Sequence, residues 1–436
     1  MGIHEDAESA RRKVYDDKIS ELAAERDAFA ADDSADEAKI SQLESELAVL
    51  EAVNAQLQAR IVELEQGEPE EPEEPEEPEE PELPRAVRFG PVGYWPSATH
   101  KPGEESASVT VTASWSAIKT ALNNVTAAQA NAKFTVYVND GNLGGNGSST
   151  GATAAIADVP RKGSRNVLVV PKNGWGKVTA GDAKLQNVEG VTFARINVNY
   201  ITLVNCSNTA FGQFKYGKGF RMQASNTSTV TNCEFFEPVG VEAFAHADGD
   251  PGGYAAGEGC VIDNCRIVGA YMAPRFLTNN STAHIDTLQM YGNGTYRGLT
   301  LKDSVLFSGW NCAMQLGGGS TGPFFTSDNT LLIGAVDTRN LRYSVPAGAK
   351  TSTQGQSING AGAPGHLYAK DSIFIGTIYP TTWARVENTI TSEESSLTRA
   401  KVNSGAWTVQ TDIASKIKLN EVAPVPSDSY LASVWG

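Results

Sequence analysis

The sequence predicts a mainly β protein, a parallel β-solenoid preceded by an N-terminal α-helical coiled coil and an extended Glu/Pro linker. Three observations predict it. A heptad of apolar residues runs from Ile40 to Leu64. Glu-Glu-Pro recurs every three residues between Glu68 and Pro84. Beyond Lys133, short β-branched runs alternate with Asn, Gly, Ser and Asp, and an Asn or Asp followed by a small residue keeps returning. The 436 residues divide accordingly: a stalk over 1–66, a linker over 67–84, an irregular connection over 85–110, the solenoid with its capping helix over 111–398, and a C-terminal cap over 399–436.

In the stalk, Ile40, Leu47, Asn54 and Ile61 fall at a positions, and Leu43, Leu50, Leu57 and Leu64 at d. Such a seam either packs on its own globular domain or associates with copies of itself. The linker follows directly and offers no core, so self-association is the expectation. Ile at a, Leu at d and one a-position Asn favour two strands. Tyr15, Ile19, Leu22 and Phe29 extend the same phase upstream, until Asp32, Asp33 and Asp36 break it.

Proline fixes φ and removes a backbone donor, so no helix or central strand passes through Glu68–Pro84. Mutual repulsion of the glutamates adds stiffness. A polyproline II rod of this length spans about 50 Å at ~3.1 Å per residue.

The formal net charge of −16 is not evenly spread. Residues 1–67 carry 17 acids and 7 bases, residues 68–84 carry 10 acids and no base, and residues 85–436 carry 24 acids and 28 bases. A nearly neutral C-terminal part argues against nucleic acid as its partner and leaves a neutral or acidic polysaccharide open. Five cysteines, an odd number with no CxxC pair, indicate neither a disulfide framework nor a zinc site. Met1–Asp6 opens without an apolar core of a signal peptide, and no stretch reaches transmembrane length. The expected place of synthesis is a cytoplasm, with no membrane insertion.

Trp115–Ala132 reads as a helix capped by Ser114, with Trp115, Ile118, Leu122 and Val125 on one face. Lys133–Val138 reads as an alternating strand. The recurring unit then appears with its small residue at Cys206, Cys233, Cys265, Ser304, Thr330, Ser372 and Thr389. The intervals of 27, 32, 39, 26, 42 and 17 residues suit solenoid turns with loops of varied length. Stacked turns bring equivalent residues into ladders. Asn205, Asn232, Asn264, Asn329 and Asn388 are expected to pile into one such ladder, with the cysteines buried beside it. A β-sandwich is the alternative, but it needs many two-residue hairpin turns, which the sequence lacks.

The capping helix Trp115–Ala132, the strand Phe134–Val138 and the repeated Asn-Cys resemble the right-handed parallel β-helix of pectate-lyase-like proteins over about residues 110–395. Coiled coil, rod and β-helix in that order look like a bacteriophage tail fibre, tailspike or minor tail protein. That resemblance implies a homotrimer, with a dimer as the alternative from the heptads. It also implies location in the virion tail, neighbouring tail proteins as partners, and release by lysis without a signal.

His284-Ile285-Asp286-Thr287-Leu288-Gln289 is the sharpest chemical cluster. Strand alternation is expected to turn Ile285 inward and to set His284 and Asp286 outward, with Gln289 rejoining them if the strand bends at Thr287. A His beside a carboxylate suits general acid–base catalysis. The same residues also suit a surface ladder, because Met222-Gln223, Gln289-Met290 and Met314-Gln315 place Gln beside Met on three turns. Asp248 and Asp250, in a Gly-rich loop, are candidate calcium ligands, calcium being what pectate lyases use on acidic sugar. Trp310, Tyr291, Tyr296 and Gln315 are candidates for glycan contact. Arg221, Arg266, Arg275 and Arg297 match no motif, so no role is transferred to them. The reading is therefore a phage tail protein that binds host cell-surface glycan. A polysaccharide lyase or glycosidase on the same scaffold is the alternative, and a bacterial adhesin comes third.

Overall fold

The structure is a computed structural model. It describes residues 91–96, 98–145, 153–159, 165–223, 234–236, 239–240, 253–255, 258–269, 286–290, 297–308, 312–316, 325–334, 356–360, 366–379, 382–392, 400–417 and 426–436, together with Ala55. The chain divides into two units, Met1–Glu82 and Leu83–Gly436. The eight expected seam residues (Ile40, Leu43, Leu47, Leu50, Asn54, Leu57, Ile61 and Leu64) and the Glu/Pro linker lie outside the described residues.

The second unit is mainly β, and every strand pairing in it is parallel. The strands form three columns, which the chain visits in rotation. One circuit runs through Arg297–Lys302, Val305–Ser308 and Cys312–Leu316, and the next through Phe325–Asp328, Leu331–Gly334 and Gln356–Asn359. Each strand of the later circuit hydrogen-bonds to its counterpart in the earlier one. The first column reaches from Ala107–Val111 to Arg385–Thr391. In the early circuits the second and third columns share long strands, Val178–Val188, Asn197–Val204 and Lys215–Gln223.

Alternation along each strand decides what fills the middle. Cys260 and Ile262, Leu299 and Leu301, and Leu367 and Ala369 enter from the first column. Ile267, Leu306, Leu332 and Phe374 enter from the second, and Leu288, Met314 and Ile358 from the third. Together they make one continuous buried core. Phe193 and Phe211, adjacent in register, stack at 5.9 Å between ring centroids.

Both ends are closed. The expected helix Trp115–Ala132 is two: α1, Trp115–Asn124, and α2, Ala127–Asn131. Ser114 caps α1, accepting from the Ala117 N–H at 3.1 Å. Val125 is extended, and Thr126 with Gln129 forms a capping box that starts α2 afresh. α1 buries Trp115, Ile118 and Leu122 in the core. At the other end Trp383, Trp407 and Phe374 pack together, with centroids 5.2–5.8 Å apart.

The corners explain the recurring asparagines and correct the expected single ladder. Between the first and second columns stand Asn264, Asp303, Asn329, Asp371 and Asn388, all with φ between 44 and 54°. Between the third and first columns stand Asp158, Asn187 and Asn205, with φ of 50 to 58°. Asn and Asp tolerate this left-handed region better than other side-chain-bearing residues. Both corners therefore select them, and sequence alone does not separate the two. Asn329 Nδ2 donates to Asp303 Oδ1 at 2.6 Å and Asn388 Nδ2 to Asp371 Oδ1 at 2.7 Å. On the other corner Asn205 Nδ2 donates to Asn187 Oδ1 at 2.6 Å. Asn205 and Asn264 thus belong to different ladders, and Asn232 lies outside the described residues. Behind Asn264 and its partners runs the row of small residues. The Cys265 N–H donates to Ser304 Oγ at 3.1 Å, and the Thr330 N–H to Ser372 Oγ at 3.2 Å.

Candidate functional site

The outer face of the third column carries a row set by strand register. Lys184 pairs with Thr202, Thr202 with Arg221, Arg221 with Tyr254, Tyr254 with Gln289, Gln289 with Gln315, and Gln315 with Asn359. Residues flanking these positions in the chain (Ala183 and Leu185, Ile201 and Leu203, Phe220 and Met222, Leu288, Met314, Ile358) belong to the core. Alternation therefore turns Lys184, Thr202, Arg221, Gln289, Gln315 and Asn359 outward. Lys184 and Thr202 are buried, whereas Arg221, Gln289, Gln315 and Asn359 are half-buried. The accessible part thus begins at Arg221 and ends at Asn359. Its five rungs extend about 19 Å at ~4.8 Å per strand.

The chemistry of the row is uniform. Amides offer both donors and acceptors, as sugar hydroxyls require of a partner. Arg221 supplies the one charged group among the accessible rungs, a five-donor fork suited to a carboxylate or a sulfate. No rung carries a carboxylate.

Asp286 occupies the opposite face. It is 1% exposed and shares the inward parity of Leu288. This corrects the outward position expected from sequence: Gln289 is the half-buried residue of the strand, while Thr287 is buried and donates to the Phe307 carbonyl at 2.6 Å. Register sets Asp286 against Cys312, whose Sγ lies 2.9 Å from Asp286 Oδ1. Burial, and then the Asp286 charge, push the Cys312 thiol well above its usual range. The pair is a buried thiol–carboxyl contact, and the same Sγ lies 3.6 Å from Gln315 Oε1, so it abuts the row from beneath. Asp286 and Gln289 therefore do not converge, and His284 lies outside the described residues.

The other expected positions divide in the same way. Gln315 stands on the row. Trp310, Tyr291 and Tyr296 lie outside the described residues, as do Asp248 and Asp250. Among the described residues no group of three or more His, Cys, Asp or Glu could hold a metal ion. Also among them, no helix is long and apolar enough to cross a membrane. The four described cysteines (Cys206, Cys260, Cys265 and Cys312) are free and buried, and burial raises the Cys206 thiol to about 12.

Arg221, Tyr254 and Asn359 were missed as a set. The Gln-beside-Met pattern pointed to the row but misplaced one member. Gln289 and Gln315 do pair, whereas Gln223 pairs with Val204, two residues beyond the Arg221 rung. Recognising Leu288, Met314 and Ile358 as one inward stack would have found Asn359.

A second ladder lies on the outer face of the first column. Asp263, Lys302, Asp328, Lys370 and Glu387 follow one another in register with alternating sign. Lys302 Nζ lies 3.9 Å from Asp263 and 3.6 Å from Asp303, and Asp263 is the main cause of its raised pKa. Lys370 pairs likewise with Asp371 at 3.5 Å, so these ion pairs of the ladder lysines stay within this face and its corner.

No protein-family model matches the chain, and no curated protein matches it. Among solved structures, pectate lyase C from Erwinia chrysanthemi with calcium is similar at 9% identity, over 71% of this chain and 82% of that one, with a TM-score of 0.26.

Proposed function

We propose that the chain is a bacteriophage tail fibre or minor tail protein whose parallel turns, wound as a right-handed β-helix, bind host cell-surface polysaccharide along the third column. One observation carries this reading: the register row from Arg221 to Asn359, with an amide or another polar group at every rung. Its repeat is close to the advance of one sugar unit along an extended glycan. A linear glycan laid on it meets a similar set of donors and acceptors at each step. Several weak contacts then sum, and an oligomer multiplies them.

The arrangement favours holding over cutting. The rungs have no acid, and the one described carboxylate of the expected catalytic cluster, Asp286, is buried against Cys312. The order of the sequence supports the tail assignment. A self-associating stem over 1–66, as a trimer or a dimer, attaches to the virion, and the acidic rod sets the reach of the binding face. The right hand follows the general preference of parallel crossover connections.

The test is binding of purified surface polysaccharide from candidate hosts, comparing wild type with Arg221→Ala and Gln315→Ala. Each substitution is expected to weaken binding by roughly tenfold, the scale of one or two hydrogen bonds. Wild-type affinity in both variants overturns the reading. Release of reducing ends or unsaturated sugars would instead make the chain a depolymerase.

A further inference from the structure

The last 32 residues do not stay at the end of the stack. Gly405–Val409 adds a final rung against Arg385–Thr391. Then comes α3, Ile413–Lys416. Ile413 and Ile417 cover an apolar row formed by Val305, Phe307, Leu331, Ile333, Ile373 and Ile375. The final helix α4, Asp428–Trp435, packs somewhere else, on the earliest long strands. Leu431 and Trp435 are fully buried with Trp175, and the two indoles meet edge to face at 5.4 Å. Lys215 Nζ lies 2.8 Å from Asp428 Oδ1. The Gly436 carbonyl accepts from the Trp175 N–H at 2.9 Å and from Arg195 Nη1 at 3.2 Å. Gly174, at φ +88°, makes room for it, since a Cβ there would stand 2.5 Å from that oxygen.

The same helix grips the chain as it enters the stack. Tyr430 Oη donates to the Pro91 carbonyl at 2.9 Å. Arg195 lies over the Trp95 ring at 5.5 Å, and Gln213 Nε2 donates to the Tyr94 carbonyl at 2.8 Å.

We infer that the two described parts of the C-terminal segment, 405–417 and 426–436, act as a strap that makes distant turns open together and fixes the segment that receives the linker. In a stack of turns each rung touches only its neighbours, so the ends can open independently of the middle. The strap violates that rule. Its two grips are on strands that are not adjacent: Val239–Gly240 and Arg266–Gly269 stand between Lys215–Gln223 and Val305–Ser308 in the second column. Opening the late turns frees Ile413 and Ile417 and loosens α4. Loosening α4 exposes Trp175 and releases Pro91, which Tyr430 holds. A pull arriving through the linker is then carried by the whole stack.

Hydrogen exchange on the full chain tests this, with one substitution at each grip. Trp435→Ala contacts only the early turns, yet it is expected to speed exchange in Val305–Ser308 and Leu331–Gly334 about tenfold, the size of a moderate coupling. Ile413→Ala contacts only the late turns, and is expected to speed exchange in Asn197–Val204 and at Val92 and Gly93, which adjoin α4. Trp435→Phe, which keeps a ring in the seat, gives the same pattern at smaller size if the Ala variant does not fold. Faster exchange confined to the turns that each residue touches overturns the inference.

Discussion

Two buried groups carry the sharpest consequences at the scale of residues. Asp286 has the inward parity of Leu288 and accepts from the Cys312 thiol, a placement that suits a structural part. Asp286→Ala is expected to cost about 1–3 kcal/mol of stability, the scale of a buried hydrogen bond broken on one side. Glycan affinity of the folded protein should not change, and chemical denaturation with a parallel binding titration checks both. His100 is the second group. It is 5% exposed, its Nε2 lies 2.8 Å from Thr135 Oγ1, and burial lowers its pKa below 6.5 against the opposing pull of Glu105 and Glu104, with Lys133 adding to the lowering. A depressed histidine favours the neutral form in the fold. The stability it contributes is complete above pH 6.5 and is lost as pH falls from there toward the folded value. Protection factors at residues 98–100, taken against the intrinsic exchange rate at each pH, should therefore fall below pH 6.5, and His100→Gln should remove that dependence. The sequence pointed to Asp286 but not to its direction, because parity is fixed by the first core residue of a strand. His100 gave no signal: only the packing of 91–100 on the first column buries it.

The corner is the decisive element. Asn329 combines φ of 51° with a side-chain bond to Asp303, and the two contributions can be separated. Asn329→Gly keeps the backbone and loses the bond, at a cost of about 1 kcal/mol. Asn329→Ala loses both and should cost about 1–2 kcal/mol more. Equal losses in denaturant titrations would mean that the left-handed turn contributes nothing. On the face beside it, Lys302→Glu would align three acids, Asp263, Glu and Asp328, and is expected to destabilise by about 1 kcal/mol at low salt, less at high salt. These elements were largely legible. The recurring Asn or Asp with a small residue behind it states what a left-handed corner with a crowded interior needs. Sequence did not reveal that two corners share the requirement, which is why Asn205 and Asn264 looked like one stack. The break in the capping helix was equally hidden, although Thr126 and Gln129 form a readable capping box. Register was the missing quantity throughout, since loops of unequal length hide which rungs meet.

At the scale of the molecule, three outer faces have three different fates. The late strands of the second column are covered by Ile413 and Ile417, and the first column carries a charge ladder of alternating sign. The third presents a half-buried row of Arg221, Gln289, Gln315 and Asn359, the proposed contact face. Footprinting with thiol reagents tests it directly in a Cys233→Ser background, where the remaining Cys206, Cys260, Cys265 and Cys312 are buried and contribute little labelling. Gln289→Cys, Gln315→Cys and Asn359→Cys, each labelled with a maleimide in the presence and absence of host polysaccharide, should all be protected by the glycan. Tyr368→Cys, on the exposed first column, should label at the same rate in both conditions. Protection at position 368, or its absence at 289, 315 and 359 while the glycan is bound, would contradict the account.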